Sequence, residues 1–140
     1  MMAKDIYHDL VKEALVIDGW EITHDPFPLD TGPNRLQIDL GAEKLIAATK
    51  GKEKIAVEIK SFISKSQLHD FYEAFGQFSY YQEAIEQQEP DRELYLAVPA
   101  DTYSEFFQNP IPQQLIRKTK VNIIVYNRLK PTLVRWISAK

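Results

Sequence analysis

Hydrophobic and polar residues recur along the chain with two periods, one typical of helices and one typical of strands. Apolar residues spaced three or four apart predict a first helix over residues 4–18 and a long helix over residues 67–88. Gly19 is placed to end the first helix, while Ser66 can cap the long helix and Pro90 can end it. The pattern therefore predicts two amphipathic helices separated by a long non-helical stretch.

Strands are predicted where apolar and polar residues alternate in steps of two. Segment 36–40 alternates in this way, with Leu36, Ile38 and Leu40 on one face, and segment 54–62 does the same. The continuous apolar run 94–98 is typical of a strand buried on both faces. The remaining predicted elements are a strand at 20–23, a proline-rich loop at 24–34, a short helix or continued strand at 42–48, a broken helical region at 103–116, and strands at 121–126 and 133–137. The order αβββαβ with extra C-terminal strands predicts an α/β fold, a mixed central sheet flanked by helices.

The first helix carries an unusual acid. Its apolar stripe consists of four residues at helical spacing, Ile6, Leu10, Ala14 and Ile17. Glu13 projects into the same stripe, about 20° from Ile6 at roughly 100° per residue. Either the helix rotates to release this carboxylate, or the carboxylate points into a site that needs one. His8 faces away from the stripe and is predicted to lie on the surface.

The composition is that of a globular protein. With 140 residues, 44% of them hydrophobic, the chain is the size of one domain over residues 1–140. It has no cysteine, which excludes disulfides, cysteine zinc ligands and thiol nucleophiles. No apolar run approaches the roughly 20 residues that span a bilayer, and a signal-peptide region is lacking, so we expect a cytoplasmic protein without a membrane partner. Carboxylates, lysines and a bound metal remain as the means of any catalysis.

Charge is distributed unevenly along the chain. The formal net charge is −3, but residues 67–93 hold seven acids and one arginine, whereas residues 113–140 hold seven bases and no acid. The acidic total argues against a generally cationic nucleic-acid coat protein. The basic block fits solvated strand edges, a contact surface for a phosphate backbone or, together with the acidic segment, a surface for a protein partner.

Three polar residues on two predicted strands form the candidate site. Glu58 and Lys60 occupy alternate positions and share a strand face, about 7 Å apart. If the two strands pair, Asp39 on the other strand can share a divalent cation with Glu58, and hard oxygen ligands select Mg²⁺ or Mn²⁺. Lys60 would then position a water and stabilise charge on a phosphate. The same residues are also compatible with an ordinary solvent-facing strand surface.

This arrangement resembles the PD-(D/E)xK nuclease superfamily, whose core is the restriction-endonuclease-like fold. Glu58-Ile59-Lys60 matches the E-x-K motif, and Asp39 matches the acidic residue before it. Gln37 departs from the pattern, because a proline-like residue often precedes the acid there. The resemblance implies that Asp39, Glu58 and the backbone carbonyl of Ile59 are metal ligands and that Lys60 is catalytic.

Two helices carry further matches to this superfamily. Gln77 and Tyr81 match the Q-xxx-Y element of RecB-like members, on the helix that follows E-x-K. Glu13 matches an acid of the first helix that many members add to the metal site. The resemblance therefore implies that Glu13, Gln77 and Tyr81 support the site.

Longer blocks carry a closer resemblance, and they are residues 3–12, 39–44, 55–62 and 89–98. They resemble the XisH family, cyanobacterial factors that control excision of the fdxN DNA element during heterocyst development. This implies an endonuclease-like, Mg²⁺- or Mn²⁺-dependent protein that hydrolyses phosphodiester bonds in DNA. Its implied partners are DNA, an XisI-type protein and a site-specific recombinase, and a homo-oligomer is left open.

Two alternatives remain on the sequence alone. The first is a non-catalytic accessory factor that assembles XisI and a recombinase on DNA, which the acidic total favours because an acidic protein binds duplex weakly at physiological salt. The second is an enzyme that acts on RNA or nucleotides with the same core. The sequence does not determine the DNA site or the regulation.

Overall fold

A computed structural model describes residues 6–31, 34–45 and 52–139. Within them the helices are α1 (His8–Ile17), α2 (Gln67–Gln88), α3 (Ala100–Glu105) and α4 (Pro110–Thr119). The strands are β1 (Glu21–His24), β2 (Phe27–Thr31), β3 (Asn34–Ile38), β4 (Leu40–Leu45), β5 (Lys52–Ile59), β6 (Arg92–Pro99), β7 (Asn122–Tyr126) and β8 (Leu133–Ile137). The start of the predicted first helix and the end of the 42–48 segment lie outside the described residues. None of the described helices combines the length and the apolar character that crossing a membrane requires.

Six strands form a mixed sheet in the order β1-β4-β5-β6-β7-β8. β4 pairs with β5 antiparallel, with Leu40 opposite Val57, and β5 pairs with β6 parallel, with Glu58 opposite Leu96. β7 lies parallel to β6, and β8 closes the edge antiparallel to β7. The predicted mixed α/β sheet flanked by helices is therefore confirmed. Residues 94–98 are buried throughout, as expected for a strand covered on both faces.

Two hydrophobic clusters lie on opposite faces of the sheet. On one face, Val11 and Leu15 of α1 pack with a row of β5 residues, Ile55, Val57 and Ile59. On the other face, Ala56 packs with α2, α3, α4 and the β2–β3 hairpin. Alternate residues of a strand point to opposite faces, so Glu58 faces α2 like Ala56. Each fully buried aliphatic or aromatic side chain contributes roughly 2 kcal/mol to this packing.

α2 begins and ends where the sequence predicts. The side chain of Ser66 accepts a hydrogen bond from the backbone N–H of His69 and so caps the helix. Phe71, Phe78 and Ile85 are buried as expected for the apolar stripe. The sequence pattern predicts that Leu68 belongs to this stripe as well, but Leu68 is exposed.

α1 is rotated relative to the predicted stripe. Ile6 and Ile17 are exposed, whereas the buried residues are His8, Val11, Ala14 and Leu15. The predicted surface position of His8 was therefore wrong, and the predicted apolar face was right only for Leu10, which packs against the core, and for Ala14, which is buried. The rotation is compatible with a buried imidazole because His8 Nε2 donates to Asp25 Oδ1 at 2.7 Å.

The predicted loop 24–34 contains a strand that the sequence pattern missed. β2 pairs antiparallel with β3, with Phe27 opposite Ile38. Pro28 lies within β2, which is possible because a two-stranded hairpin has an open edge where the missing N–H breaks no ladder bond. The hairpin is anchored to the end of α2, since the Gln88 amide accepts from Asp30 N–H at 2.7 Å and donates to the Pro28 carbonyl at 3.1 Å.

The predicted strand 36–40 is interrupted at Asp39. β3 ends at Ile38, which packs in the cluster on the α2 side, and β4 begins at Leu40, which packs on the α1 side. Residues two apart on a straight strand share a face, so the prediction that Leu36, Ile38 and Leu40 do so was wrong. The bend changes the sheet face at Asp39 itself.

Candidate functional site

At the end of β5, the side chain of Asp39 accepts a backbone hydrogen bond that a neighbouring strand would otherwise accept. Beyond the Leu40–Val57 pair, the chain bends away from the sheet edge. Asp39 Oδ2 accepts a hydrogen bond from the backbone N–H of Ile59 at 2.7 Å, and the backbone N–H of Asp39 donates to Glu58 Oε1 at 3.3 Å. These two bonds bring both predicted acids to one position on the sheet.

The carbonyl group of Ile59 points to the side of β5 on which Asp39 lies. In an antiparallel ladder the N–H and C=O of one residue point to the same adjacent strand. The N–H of Ile59 points to the Asp39 carboxylate, so its C=O points to that side as well. The backbone oxygen predicted as the third metal ligand therefore lies on the side of the two acids.

Lys60 lies beside Glu58. Its Nζ is 3.7 Å from Glu58 Oε2 and 3.8 Å from Oε1 of Glu73 on α2. The predicted triad of Asp39, Glu58 and Lys60 is thus assembled at the end of β5. The ammonium group of Lys60 is shared between one carboxylate of the triad and one of the helix.

The backbone of Lys60 is fixed on both sides. Its N–H donates to the carbonyl of Ala97 at 3.0 Å. A parallel strand would ordinarily supply a donor to its carbonyl, but the residue in that position is Pro99, which has no N–H. The hydroxyl of Tyr126 donates to this carbonyl instead, at 2.9 Å. The lysine therefore extends from a rigid strand end.

The charged form of Glu58 is electrostatically unfavourable as long as no cation is bound next to it. It is 7% exposed, and burial together with the negative charge of Asp39 raises its pKa to about 8. The ammonium group of Lys60 lowers the pKa but does not outweigh these two effects. Two close carboxylates of this kind are stabilised by a hard divalent cation.

One row of α2 faces these groups. Glu73, Gln77 and Tyr81 are spaced four residues apart and so lie along one side of the helix. Burial and the negative charges of Glu58 and Asp39 together raise the pKa of Tyr81 to about 12. Glu73 contacts Lys60, and Gln77 lies between these two helix residues.

Gln77 carries an unsatisfied acceptor. Its side-chain Oε1 is buried and has no hydrogen-bond partner within the described part of the chain. An unpaired buried amide oxygen costs roughly 1–3 kcal/mol, so a donor at this position would stabilise the protein. A water molecule or a ligand hydroxyl in the site is the kind of group that fits.

Glu13 is not brought to the acid pair. α1 packs on the sheet face opposite to Glu58, and Glu13 is exposed on it. Across residues 6–31, 34–45 and 52–139, no three Asp, Glu or His side chains are close enough to hold a metal together. Asp39, Glu58 and the carbonyl of Ile59 form a small oxygen donor set, which fits Mg²⁺ or Mn²⁺ because these ions retain several waters.

A second polar cluster beside the bend was not predicted. Asp25 bonds His8 through Oδ1 and Lys12 through Oδ2, each at 2.7 Å. Burial alone would raise the pKa of Asp25, but the hydrogen bond from Lys12 and the charge of His8 hold it below its usual value. Asp25 lies between β1 and β2, and Asp39 lies between β3 and β4. Because β1 pairs with β4 and β2 pairs with β3, the two aspartates are brought close together. The only sequence signal is the four-residue spacing of His8 and Lys12.

The sequence profile of a family described as XisH protein matches residues 1–134 of the chain. The chain belongs to the XisH family. The resemblance indicated by the four sequence blocks is therefore confirmed. No curated protein matches this XisH-family chain.

Two solved XisH-type structures are similar over nearly the whole chain. The crystal structure of an XisH family protein from Nostoc punctiforme is 40% identical and has a TM-score of 0.86, covering 96% of this chain and 100% of its own. A fdxN element excision controlling factor protein from Anabaena variabilis is 41% identical, with the same TM-score and the same coverage. These matches support the α/β fold, while the finer assignment to the PD-(D/E)xK superfamily stays a prediction.

Proposed function

We propose that this XisH-family protein is a divalent-metal-dependent phosphodiester hydrolase of the endonuclease type, which acts on DNA during excision of a DNA element. The observation that carries the proposal is the convergence of Asp39, Glu58 and Lys60 at the end of β5. The name of the Anabaena variabilis relative supports the biological setting. DNA, an XisI-type protein and a site-specific recombinase are the proposed partners.

Three oxygen donors would hold the metal. They are the carboxylates of Asp39 and Glu58 and the carbonyl of Ile59, and Mg²⁺ or Mn²⁺ is the proposed ion. Such an ion, when bound, supplies Lewis acidity toward a phosphate and lowers the pKa of a water molecule. Asp39 also orients the end of β5, because it binds the N–H of Ile59 at 2.7 Å.

Lys60 would stabilise negative charge on the scissile phosphate and position the attacking water. Its ammonium group is within 4 Å of Glu58, so it would lie next to any phosphate held at the acid pair. Gln77 would accept a hydrogen bond from the water with its unpaired Oε1. Tyr81, whose pKa of about 12 keeps its hydroxyl protonated at neutral pH, would donate one. Glu13 has no part in this arrangement.

A second candidate function is a non-catalytic accessory factor that assembles an XisI-type partner and a recombinase on DNA. Two observations favour it. Lys60 is paired with both Glu58 and Glu73, which leaves its ammonium group less available to a phosphate. The net charge of −3 also opposes tight binding of duplex DNA by this chain alone.

A cleavage assay with Lys60→Ala tests the catalytic proposal. Wild-type protein with Mg²⁺ or Mn²⁺ should nick plasmid DNA, and the variant should lose this activity by about 100-fold or more, because it lacks the charge that stabilises the phosphate. Lys65→Ala is the matched control, since Lys65 is exposed in the following loop, and it should cleave like the wild type.

Thermal unfolding of both variants should resemble that of the wild type, which separates catalysis from folding. Cleavage by Lys60→Ala at the wild-type rate would remove the catalytic assignment.

Absence of cleavage by the wild type, with excision still dependent on the protein in a reconstituted recombinase reaction, would favour the accessory function. Product analysis with matched DNA and RNA substrates tests the RNA alternative.

A further inference from the structure

α2 has an apolar row on its solvent side, distinct from the row that faces the candidate site. Leu68, Tyr72, Gly76 and Tyr80 recur every four residues and so form one ridge of the helix. Leu68 is 48% exposed, Tyr72 63% and Tyr80 51%. Large apolar and aromatic side chains in a continuous exposed row are typical of an interaction surface. These four residues are called the outer row below.

Gly76 makes a notch in the middle of the outer row. A glycine inside a helix costs about 1 kcal/mol relative to alanine. No atom outside the helix's own backbone lies within 4 Å of the position that a Cβ would occupy, so packing among the described residues does not require glycine here. The notch lets another chain approach the helix backbone closely between Tyr72 and Tyr80.

The charges around the outer row are negative. Residues 67–88 contain four acids and no lysine or arginine, and the acids are Asp70, Glu73, Glu83 and Glu86. A cavity of ≈ 300 Å³ at the C-terminal end of α2 is lined by Glu86, Asp91 and Glu93. Arg92 also lines this cavity, but its guanidinium is bound by Glu89 at 3.1 Å. The outer row is therefore complementary to an apolar surface with basic flanks.

The same charges argue against two other occupants. Duplex DNA would meet four carboxylates and no cationic side chain on this helix. Antiparallel pairing with α2 of a second copy would bring the four acids of each helix together, and like charges at an interface oppose association. A partner with a different, basic surface meets neither obstacle.

We propose that the outer row docks an amphipathic helix of a partner protein whose apolar stripe is flanked by lysine or arginine residues. The apolar stripe packs into the notch at Gly76 between the two tyrosines, and the basic flanks face Glu83 and Glu86, which are exposed on α2. Because the row that faces the acid pair is a different side of α2, docking is independent of whether the protein cleaves DNA.

Two synthetic helical peptides test this surface. Both carry the same leucine and alanine stripe, one flanked by lysines and the other by glutamates, and each is titrated into the full-length protein with a fluorescent label. The lysine-flanked peptide should bind at least about tenfold more tightly. Tyr72→Ser and Gly76→Leu should each weaken this binding by about tenfold or more, since they remove an aromatic contact and fill the notch.

Ile111→Ser is the matched control, because Ile111 is an equally exposed apolar residue on α4, and it should leave binding unchanged. Circular dichroism confirms that each variant is folded. Equal affinity for the two peptides, or affinity that Tyr72→Ser and Gly76→Leu leave unaltered, would overturn the proposal. Two other results would also overturn it. One is self-association of the protein that Tyr72→Ser abolishes, and the other is binding of a duplex oligonucleotide that the same variant abolishes.

Discussion

Glu58 shows how burial and a charged neighbour determine the chemistry of one residue. The side chain is held between Asp39 and Lys60 at the end of a central strand, and its pKa is raised to about 8. Without a cation the charged form of this carboxyl group is therefore disfavoured, and a cation at the proposed site would favour it. If the acid pair is the proposed cation site, the electrostatic cost of bringing the two acids together lowers the stability of the cation-free protein.

Glu58→Gln should stabilise the cation-free protein at alkaline pH. The folded pKa of about 8 exceeds the value of 4.5 for a free glutamate, so the proton's contribution to stability is complete below pH 4.5 and is lost as the pH rises through 8. Glutamine is always neutral and avoids that loss. Chemical denaturation in EDTA should show equal stability near pH 4 and a gain of up to a few kcal/mol for the variant at pH 9. A difference that does not depend on pH would contradict this explanation.

Single residues differed in how far the sequence could predict them. The sequence indicated that Asp39 and Glu58 come together, because it placed them on neighbouring strands, but it did not indicate that Asp39 reaches β5 from a bend. The burial of His8 and the exposure of Glu13 are not visible in the sequence, because the rotation of α1 is set by the sheet face that it meets. The hydrogen bond between His8 and Asp25 joins residues that are seventeen positions apart, and no local sequence pattern can indicate such a contact.

Two glycines illustrate how elements approach one another. Gly41 of β4 lies against β1 and β2, where a Cβ would be 2.8 Å from Phe27 Cδ2 and 3.0 Å from His24 Nδ1. The rings of His24 and Phe27 are themselves in edge contact, at 4.8 Å between centroids. A larger residue at position 41 would therefore force the side chain of Phe27 or His24 to shift. Gly76 of α2, by contrast, has open space around it.

Alanine at these two positions should have opposite effects on stability. Gly41→Ala should destabilise the protein by roughly 1–3 kcal/mol, because the added methyl group overpacks a buried contact. Gly76→Ala should stabilise it by about 0.5–1 kcal/mol, because alanine favours the helix and meets no neighbour. Thermal and chemical unfolding of the two variants measure both changes. Stabilisation by Gly41→Ala would contradict the close contact described at that position, and clear destabilisation by Gly76→Ala would contradict the open space described there.

Elements with strong local signals were predicted well. α2 has an N-terminal cap at Ser66 and a proline after its end, and its bounds are those that the sequence indicates. β2 was missed because Pro28 is a poor strand residue, and the hairpin is stabilised by packing on α2 rather than by local preference. The bend at Asp39 was missed because an alternating pattern looks the same whether or not the strand crosses from one sheet face to the other.

At the scale of the whole molecule, three sides of α2 have different surroundings. One side packs in the core with Phe71 and Phe78, one faces the acid pair with Gln77 and Tyr81, and the exposed outer row is the proposed docking surface. A partner helix on the outer row would pack on a different side of the helix that also faces the candidate site. Partner binding and the chemistry at β5 can thus take place on adjacent surfaces.

The basic C-terminal block is a feature of the whole molecule that the sequence alone left open. Arg128, one of its members, is structural, since its guanidinium binds the carboxylate of Asp101 at 2.9 Å and the carbonyl of Ser61 at 2.8 Å. Arg117 and Lys118 are exposed at the end of α4 and are available to a phosphate backbone or a protein. Charge counts along a sequence do not separate these roles, because the counts ignore which side chains are already paired.

Uptake of Mn²⁺ measured by titration calorimetry tests the central claim most directly. The wild-type protein should bind about one equivalent, and Asp39→Ala should bind none, because the acid pair is the proposed cation site. Asp30→Ala is the matched control, since Asp30 is exposed on the hairpin, and it should bind like the wild type. No uptake by the wild type, or undiminished uptake by Asp39→Ala, would contradict the account.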